Sequence, residues 1–364
     1  MFAFMSNMKT IRLVFWIAFV LLTIEALAQI RAYIHYGSSP LSSLFSESPY
    51  YFDEELSVRR FKPNMTIKGD QNLIKTNSLG FRSDELDISR ENNEARIIVL
   101  GASTVMGAYA KNNSETFSGI LQSELRNRFS DMRINVLNAG LQGLSIFNQI
   151  QLFKKELLPL KPDYLILYSG MNHLANLCRK SGANAKKKEE GVQIPMLKIP
   201  KWWLTYELLV KNTIWVRQKH LSLEKKGSNT ANKTDIEPDL QFLLKEYDQA
   251  LSDLYGLVKD NGIELILLGP SRAYRPEMTE SEQWDLSETA RFYNNCLTVQ
   301  QLNEMYHLFN TKLALFAKKN DVLYLDTNKI LPGGKNFYVD STHFSLKAEH
   351  MVANALFNLF VSIW

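Results

Sequence analysis

The stretch RIIVLGASTVMG, residues Arg96 to Gly107, indicates the fold of this chain. It contains four consecutive apolar residues, Ile97 to Leu100, which is typical of a short strand buried on both faces of a parallel sheet. Gly101 ends the strand, and Ser103 follows at the predicted turn from strand to helix. Open α/β sheets bind ligands at the carboxyl ends of their strands. The position of Ser103 therefore suits a nucleophile.

A turn of small residues after a first strand can also bind phosphate, or can serve packing alone. The sequence argues against the specific alternatives. There is no Gly-x-Gly-x-x-Gly, no Lys followed by Ser or Thr completes a P-loop after Gly107, and Val105 interrupts the Gly-x-Ser-x-Gly turn of α/β-hydrolases. What distinguishes Ser103 is the set of motifs that follows it in the chain.

Three further motifs come later in the chain. Asn138-Ala-Gly-Leu-Gln-Gly143 follows a second predicted strand, Gly170-Met-Asn172 follows a third, and Asp340-Ser-Thr-His343 lies just before the last predicted helix. Together with the serine block, and in this order, they resemble the SGNH (GDSL-like) hydrolase family. The resemblance covers the chain from Arg96 to the C-terminus.

The resemblance implies a role for each matching residue. In this family the serine of the first block is the nucleophile, which matches Ser103. The closing Asp-x-x-His supplies the base and the carboxylate that orients it, which match His343 and Asp340. The backbone N–H of the nucleophile, the glycine of the second block and the asparagine of the third form the oxyanion hole. The last two match Gly143 and Asn172.

The sequence departs from the family pattern at two positions. Ala102 stands where the family usually has Asp, and His173 stands where an acid would follow the asparagine. Neither residue belongs to the triad or the oxyanion hole, so we expect them to affect substrate preference more than chemistry. His173 adjoins Asn172 and is a candidate for lining the substrate pocket.

Predicted strands and helices alternate from residue 96 onward. The strands are 96–101, 134–138, 164–169, 263–269 and 321–326, and the helices are 114–129, 145–156, 239–260, 298–319 and 345–363. Five short β-rich runs separated by helices predict an α/β three-layer sandwich with a five-stranded parallel sheet. The family resemblance implies a flavodoxin-like strand order.

An apolar segment, LVFWIAFVLLTI from Leu13 to Ile24, lies near the start of the chain. Two basic residues precede it, which predicts a cytoplasmic N-terminus and export of the remainder. We expect residues 1–32 to form an uncleaved signal anchor that spans the membrane. Glu25 would then lie near the outer interface, where a carboxylate can reach water. The alternative is a secreted protein, cleaved after Ala28.

Residues 33–94 precede the predicted catalytic domain, which covers 95–364. They are polar and include three prolines, which predicts a lead-in or stalk that packs on the domain. Phe81 and Arg82, in the run NSLGFR, are either substrate contacts or, as we favour, packing residues.

An insertion at 178–238 interrupts the alternating pattern. Aromatic and aliphatic residues recur there at near-helical spacing, flanked by Lys and Arg. This pattern fits three alternatives: a lid, an amphipathic helix in the membrane interface, or a helix packed on the core. The connection 271–295 is also long, and loops at this edge of a sheet usually shape a substrate cleft.

Composition excludes several classes of protein. A net charge of +4 over 364 residues, with the basic residues spread out, gives little support to nucleic-acid binding. Two cysteines, Cys178 and Cys296, exclude a disulfide-rich scaffold. We favour two buried free thiols, with one disulfide as the alternative in an oxidising compartment. No set of His, Cys and carboxylates has ligand spacing, so we expect neither metal nor cofactor.

A serine hydroxyl needs a base, and of six histidines only His343 has a carboxylate at a suitable spacing. The sequence therefore predicts a serine esterase outside the cytoplasmic membrane. Its expected partner is an ester substrate, with an acetyl group on a cell-envelope polysaccharide as the leading candidate. An O-acyltransferase with the same triad is the first alternative, because acceptor choice depends on the cleft. A non-catalytic glycan-binding or assembly protein is the second.

Overall fold

The computed structural model describes residues 2–36, 41, 48–68, 72–87, 89–169, 172–173, 203–205, 240–294 and 296–364. These residues fall into two compact units. Unit one contains residues 2–36, 41, 48, 68 and 203–205, and unit two contains the others. The predicted insertion thus lies outside the described residues, except for 203–205.

Unit one contains a long helix, α1 (Phe2–Tyr36). Among the helices that the structure describes, α1 is the one long and apolar enough to cross a membrane, over Ile11–Ile34 with a mean hydropathy of 2.2. Large apolar side chains along this segment are exposed. By length and composition the segment fits either a membrane anchor or a signal sequence.

Glu25 lies within the apolar segment of α1 and is bound by protein groups. Its Oε1 accepts hydrogen bonds from the backbone N–H of Leu204 (3.0 Å) and from Nε2 of Gln29 (2.5 Å). Its Oε2 accepts from the backbone N–H of Thr205 (2.8 Å) and from the Thr205 hydroxyl. A carboxylate at membrane depth is costly unless donors satisfy it. Protein donors, three of them from Leu204 and Thr205 of the insertion, thus take the role that we expected for water.

The predicted lead-in contains two small sheets. Strands β1 (Tyr50–Asp53) and β2 (Val58–Phe61) pair antiparallel, and β3 (Thr66–Lys68) pairs with β4 (Leu73–Lys75). The Arg60 guanidinium is buried and binds Asp53 Oδ2 at 3.0 Å and both carboxylate oxygens of Glu156 at 2.5 and 2.8 Å. Since Glu156 lies in the predicted catalytic domain, the lead-in packs on that domain.

The main sheet of unit two has five parallel strands. They are β5 (Glu94–Gly101), β6 (Arg133–Gly140), β7 (Tyr164–Tyr168), β8 (Glu264–Gly269) and β9 (Leu323–Asp326). Their order is β6-β5-β7-β8-β9, so the chain starts inside the sheet and extends first to one side and then to the other. The predicted five-stranded parallel sheet and its flavodoxin-like order are confirmed.

Helices connect these strands. They are α2 (Ser103–Met106), α3 (Phe117–Arg128), α4 (Ile146–Leu152), α5 (Leu240–Asp260), α6 (Glu280–Leu286), α7 (Glu288–Tyr293), α8 (Val299–Asn320), α9 (Thr327–Ile330) and α10 (Leu346–Ile363). Helix α4 continues through a π turn at Phe153–Leu157. The connection 271–295, predicted as a loop, contains α6 and α7. A capping box between Thr279 and Glu282 begins α6.

The two faces of the sheet bury different helices. On one face Ile98 and Leu100 pack with residues of α4, α5 and α8. On the other face Ile97 and Val99 pack with residues of α3 and α10. Successive side chains of a strand point to opposite faces, so an unbroken apolar run is what a strand between two helix layers requires. The predicted three-layer sandwich follows from that run.

The state of Cys296 differs from the predicted free thiol. It is disulfide-bonded, so the interpretation of two free thiols is wrong for this residue. The physical reason is that sequence separation says nothing about whether two cysteines meet in space, and a buried half-cystine has the same apolar surroundings as a buried thiol. Cys178 lies outside the described residues.

Glu349 on α10 is a fully buried carboxylate in the core. It accepts a hydrogen bond from the backbone N–H of Phe117, the first residue of α3, at 2.8 Å. Burial raises the pKa of Glu349 to about 8, although the Phe117 N–H and the charge of Arg82 act to lower it. Because the folded pKa lies above the ordinary value of 4.5, the contribution of Glu349 to stability is most favourable below pH 4.5 and is lost as the pH rises towards 8.

Glu349→Gln is expected to remove this pH dependence. The amide oxygen keeps an acceptor for Phe117 N–H and cannot ionise, so the variant gains stability over the natural protein as the pH rises from about 5 to 8. The gain at pH 8 is on the order of a few kcal/mol. Urea unfolding of the detergent-solubilised chain at several pH values measures it. The exposed Glu54→Gln should leave the pH dependence unchanged. A parallel pH dependence in Glu349→Gln and the natural protein would contradict the prediction.

Candidate active site

Strand β5 leads directly to the predicted nucleophile. Gly101 is its last residue, Ala102 precedes the first turn of α2, and Ser103 is the first residue of that turn. A Cβ at Gly101 would lie 2.3 Å from a methyl of Val105 and 2.7 Å from the carbonyl oxygen of Tyr168. A larger residue is therefore excluded, and the absence of a side chain lets α2 pack tightly on the end of the sheet.

The three predicted triad residues meet at this edge of the sheet. Nε2 of His343 lies 2.8 Å from Oγ of Ser103, and Nδ1 of His343 lies 2.6 Å from Oδ2 of Asp340. Oδ1 of Asp340 accepts the backbone N–H groups of Thr342 and His343, each at 2.9 Å. The turn that carries Asp340 and His343 is thereby fixed by the same carboxylate that contacts the imidazole.

The contact with Asp340 indicates which ring nitrogen carries the proton of a neutral imidazole. Burial acts to raise the pKa of Asp340, but the hydrogen bond from His343, its charge and the two backbone N–H groups outweigh burial and hold this pKa below its ordinary value. An ionised Asp340 only accepts, so Nδ1 of His343 carries the proton. In a neutral imidazole, Nε2 then presents a lone pair to the Ser103 hydroxyl, as a general base must.

The second and third blocks lie side by side. Gly143 lies in the loop after β6 with φ of +80°, a left-handed conformation that favours glycine. The next residue, Leu144, accepts a hydrogen bond through its carbonyl from Nδ2 of Asn172 at 3.2 Å. The Asn172 amide thus holds the loop that carries Gly143. The roles of Gly143, Asn172 and the Ser103 N–H as oxyanion donors stay a prediction.

His173 has a mostly buried side chain. Its ring packs edge-on against Phe147 at 5.2 Å between centroids, and its Nε2 lies 3.7 Å from Oε2 of Glu246. Only 5% of His173 is exposed, so little of it is available to a ligand. Its role in lining a substrate pocket stays a prediction.

Tyr109 is a residue that the sequence did not single out. Its hydroxyl lies 3.4 Å from Oδ2 of Asp340, and its ring packs edge-on against His343 at 5.4 Å. No family motif includes this position. The sequence feature that could have indicated it is an aromatic residue six positions after the serine, in a loop that must pass close to the nucleophile.

In the described part of the chain, no group of three or more His, Cys, Asp and Glu side chains is placed to hold a metal ion. A reaction without metal or cofactor stays a prediction. That prediction assigns the chemistry to hydroxyl, imidazole, carboxylate and amide groups alone.

The sheet order and the meeting of Ser103, His343 and Asp340 at its carboxyl edge are the arrangement of the SGNH (GDSL-like) hydrolase fold. The resemblance found in the sequence is thereby confirmed at the level of the fold.

Several solved structures are similar to this chain. One is an α/β hydrolase from the metagenome of Lake Arreo, at 15% identity and a TM-score of 0.43. Another is an acetylxylan esterase from Geobacillus stearothermophilus, at 14% and 0.43. Both alignments cover 72% of this chain and 93% of the other. A GDSL-like lipase from Bacteroides thetaiotaomicron has 11% identity, a TM-score of 0.40 and coverage of 77% and 93%. No protein-family model and no curated protein matches the sequence.

Proposed function

We propose that this chain is a serine esterase that cleaves a carboxylic ester through an acyl intermediate on Ser103. The observation that carries the proposal is the continuous path from Asp340 through His343 to Ser103, with contacts of 2.6 and 2.8 Å. Both distances are those of formed hydrogen bonds, and the order of the groups is that of a nucleophile, a base and an orienting carboxylate.

The geometry supports a two-stage reaction. As Oγ of Ser103 attacks the ester carbonyl carbon, Nε2 of His343 takes the hydroxyl proton. The negative charge on the carbonyl oxygen is stabilised by the N–H groups of Ser103 and Gly143 and by the Asn172 amide. His343 then gives its proton to the leaving alcohol. In the second stage His343 takes a proton from water, which attacks the acyl carbon. The bond between this carbon and Ser103 Oγ then breaks, His343 returns the proton to Oγ, and the acid leaves. Asp340 stays ionised throughout.

The proposed substrate is an acetyl ester on a cell-envelope glycan. This finer proposal rests on the family resemblance and on the predicted location outside the cytoplasmic membrane. Two observations support the location: the apolar α1 over Ile11–Ile34 and the disulfide at Cys296. Disulfides persist in oxidising compartments and are rare in the cytosol. A reporter that works only outside the cytoplasm, fused after Trp364, tests the location, and an inactive fusion would contradict it.

Hydrolysis of aryl esters tests the reaction. The detergent-solubilised chain should release acid from an aryl acetate faster than from longer acyl chains, and should release acetate from an O-acetylated envelope polysaccharide. Transfer of the acyl group to an added sugar, without release of acid, would change the conclusion to an O-acyltransferase. Glycan binding without turnover would indicate a non-catalytic protein.

Asn172→Ala is expected to lower kcat by about 10²- to 10³-fold, because one of three oxyanion donors is lost and two backbone donors remain. KM should change little, since the charge develops only in the transition state. Steady-state kinetics on an aryl acetate measures both.

Asn148→Ala is the matched control for Asn172→Ala. The Asn148 amide also donates to a backbone carbonyl, that of Leu56 at 2.8 Å, but it has no part in the proposed oxyanion hole. An equal loss of kcat in both variants would show that Asn172 acts through loop structure alone.

A further inference from the structure

Arg82, in the lead-in, is a buried cation that binds the loop after the nucleophile. Only 1% of it is exposed. Its Nη1 donates to the carbonyl oxygens of Gly107 at 2.5 Å and Met106 at 3.4 Å, and its Nη2 donates to that of Ala110 at 2.8 Å. Its Nε donates to Oδ1 of Asn113 at 3.2 Å. Three of these four acceptors are backbone carbonyls of one five-residue segment.

Burial of the Arg82 charge is offset by its hydrogen bonds to the segment Met106–Ala110. Burial lowers the pKa of Arg82 to about 10, and the nearby charges of Glu349 and Glu115 act in the opposite direction. A buried guanidinium is costly unless its donors are satisfied. Here Nη1 and Nη2 bind the carbonyl oxygens of Met106, the last residue of α2, and of Gly107 and Ala110, which follow it. The charge therefore stabilises one shape of the segment Met106–Ala110.

The segment held by Arg82 contacts all three residues of the proposed triad. Tyr109 lies between two of the bound carbonyls, and its side chain packs on His343 and lies 3.4 Å from Asp340 Oδ2. The N–H of Ala108 donates to the backbone carbonyl of Ser103 at 3.2 Å. A displacement of this segment would therefore move the surroundings of the nucleophile and of the base together.

We propose that Arg82 is a positioning residue for the reaction, which acts through the segment Met106–Ala110 to hold Tyr109 against His343 and Asp340. The proposal rests on the proposed function. The ring of Tyr109 packs against the imidazole and limits its rotation. The Tyr109 hydroxyl gives Oδ2 of Asp340 a second donor besides Nδ1 of His343. The lead-in thus belongs to the catalytic unit as a support of its geometry.

Two activities test the proposal: aryl acetate hydrolysis and the rate at which a fluorophosphonate labels Ser103. Tyr109→Phe should lower both kcat and the labelling rate by about threefold to tenfold, the effect of one hydrogen bond. Tyr109→Ala should lower them by about 10- to 100-fold, since misplacement of a catalytic group has effects of this size. KM and the melting temperature should change little, because the ring is half exposed.

Arg82→Lys should resemble Tyr109→Ala, because Lys lacks the separate Nε, Nη1 and Nη2 donors that bind Asn113, Gly107 and Ala110. The double variant should be little slower than either single variant, since both act through one segment. Two matched controls should retain kcat. Tyr255→Phe loses a hydroxyl contact to the Asn320 carbonyl at 3.1 Å, and Arg126→Lys loses a guanidinium contact to the Ile134 carbonyl at 2.6 Å.

The outcomes separate this proposal from the proposed function. If the natural protein is not labelled at Ser103, the esterase proposal fails first. If it is labelled, and Tyr109→Ala reacts at the natural rate, the positioning proposal is wrong. Should Arg82→Lys fail to fold, the Tyr109 variants decide alone, because a half-exposed side chain can be removed without loss of the core.

Discussion

Ser103→Ala is expected to lower kcat for ester hydrolysis by about 10⁶-fold and to leave the fold intact. The variant removes the oxygen that lies 2.8 Å from Nε2 of His343, so no acyl intermediate can form. The residual rate would come from the oxyanion donors and from substrate binding. Aryl acetate hydrolysis and fluorophosphonate labelling, which should disappear, measure the effect.

His343→Ala should have a similar effect, because an unactivated hydroxyl is a poor nucleophile. The Ser103→Ala/His343→Ala double variant should be little worse than either single variant, since the residues act as one unit. Ser252→Ala, at an exposed position on α5, is the control and should keep full activity. Full esterase activity in a stable Ser103→Ala protein would show that the nucleophile is another residue.

The sequence predicted the sheet well, for a physical reason. A strand between two helix layers must be apolar on both sides, and the run Ile97–Leu100 meets that requirement in four residues. Parallel strands also end at one edge, so motifs far apart in sequence come together there. His343 lies 240 positions after Ser103 in the chain, yet the two residues meet in the structure. The order of the four sequence blocks was enough to predict that Ser103, Asp340 and His343 come together.

Other features could not be predicted, because they depend on contacts between distant residues. Strands β3 and β4 have three residues each, which is too short for a visible alternation. The contacts of Arg82 with backbone carbonyls have no sequence pattern, since any residue supplies a carbonyl. Tyr109 was missed because its contacts have no sequence pattern either, and the disulfide of Cys296 was predicted only as the alternative to free thiols. Each depends on proximity in space, which motif spacing does not report.

In unit one, the hydrogen-bond donors to Glu25 could not be predicted from the sequence either. A single acidic residue in an apolar helix predicts a need for hydrogen bonds, but not their source. The structure supplies them from Leu204 and Thr205, about 180 positions later in the chain. The three alternatives for the insertion stay predictions, because residues 203–205 are the part of it that the structure describes.

Asp340→Asn is expected to lower kcat by about 10⁴-fold while the turn keeps its shape. The amide oxygen can still accept the backbone N–H groups of Thr342 and His343, which now bind Oδ1. The amide nitrogen, however, takes the place of Oδ2 and is a donor. A donor opposite Nδ1 of His343 favours the tautomer with the proton on Nε2, and that proton removes the lone pair that faces Ser103.

The pH dependence of stability provides a second measurement for Asp340→Asn. The folded pKa of Asp340 is lowered, so its ionised form stabilises the fold above its unfolded pKa, and this contribution is lost as the pH falls. The variant should therefore lose less stability between pH 5 and 3 than the natural protein. Asp326→Asn is the matched control, because Asp326 also accepts a backbone N–H, from Asn328 at 3.0 Å, outside the triad. Equal kcat values in Asp340→Asn and the natural protein would show that His343 is oriented without the carboxylate, and the tautomer argument would fail.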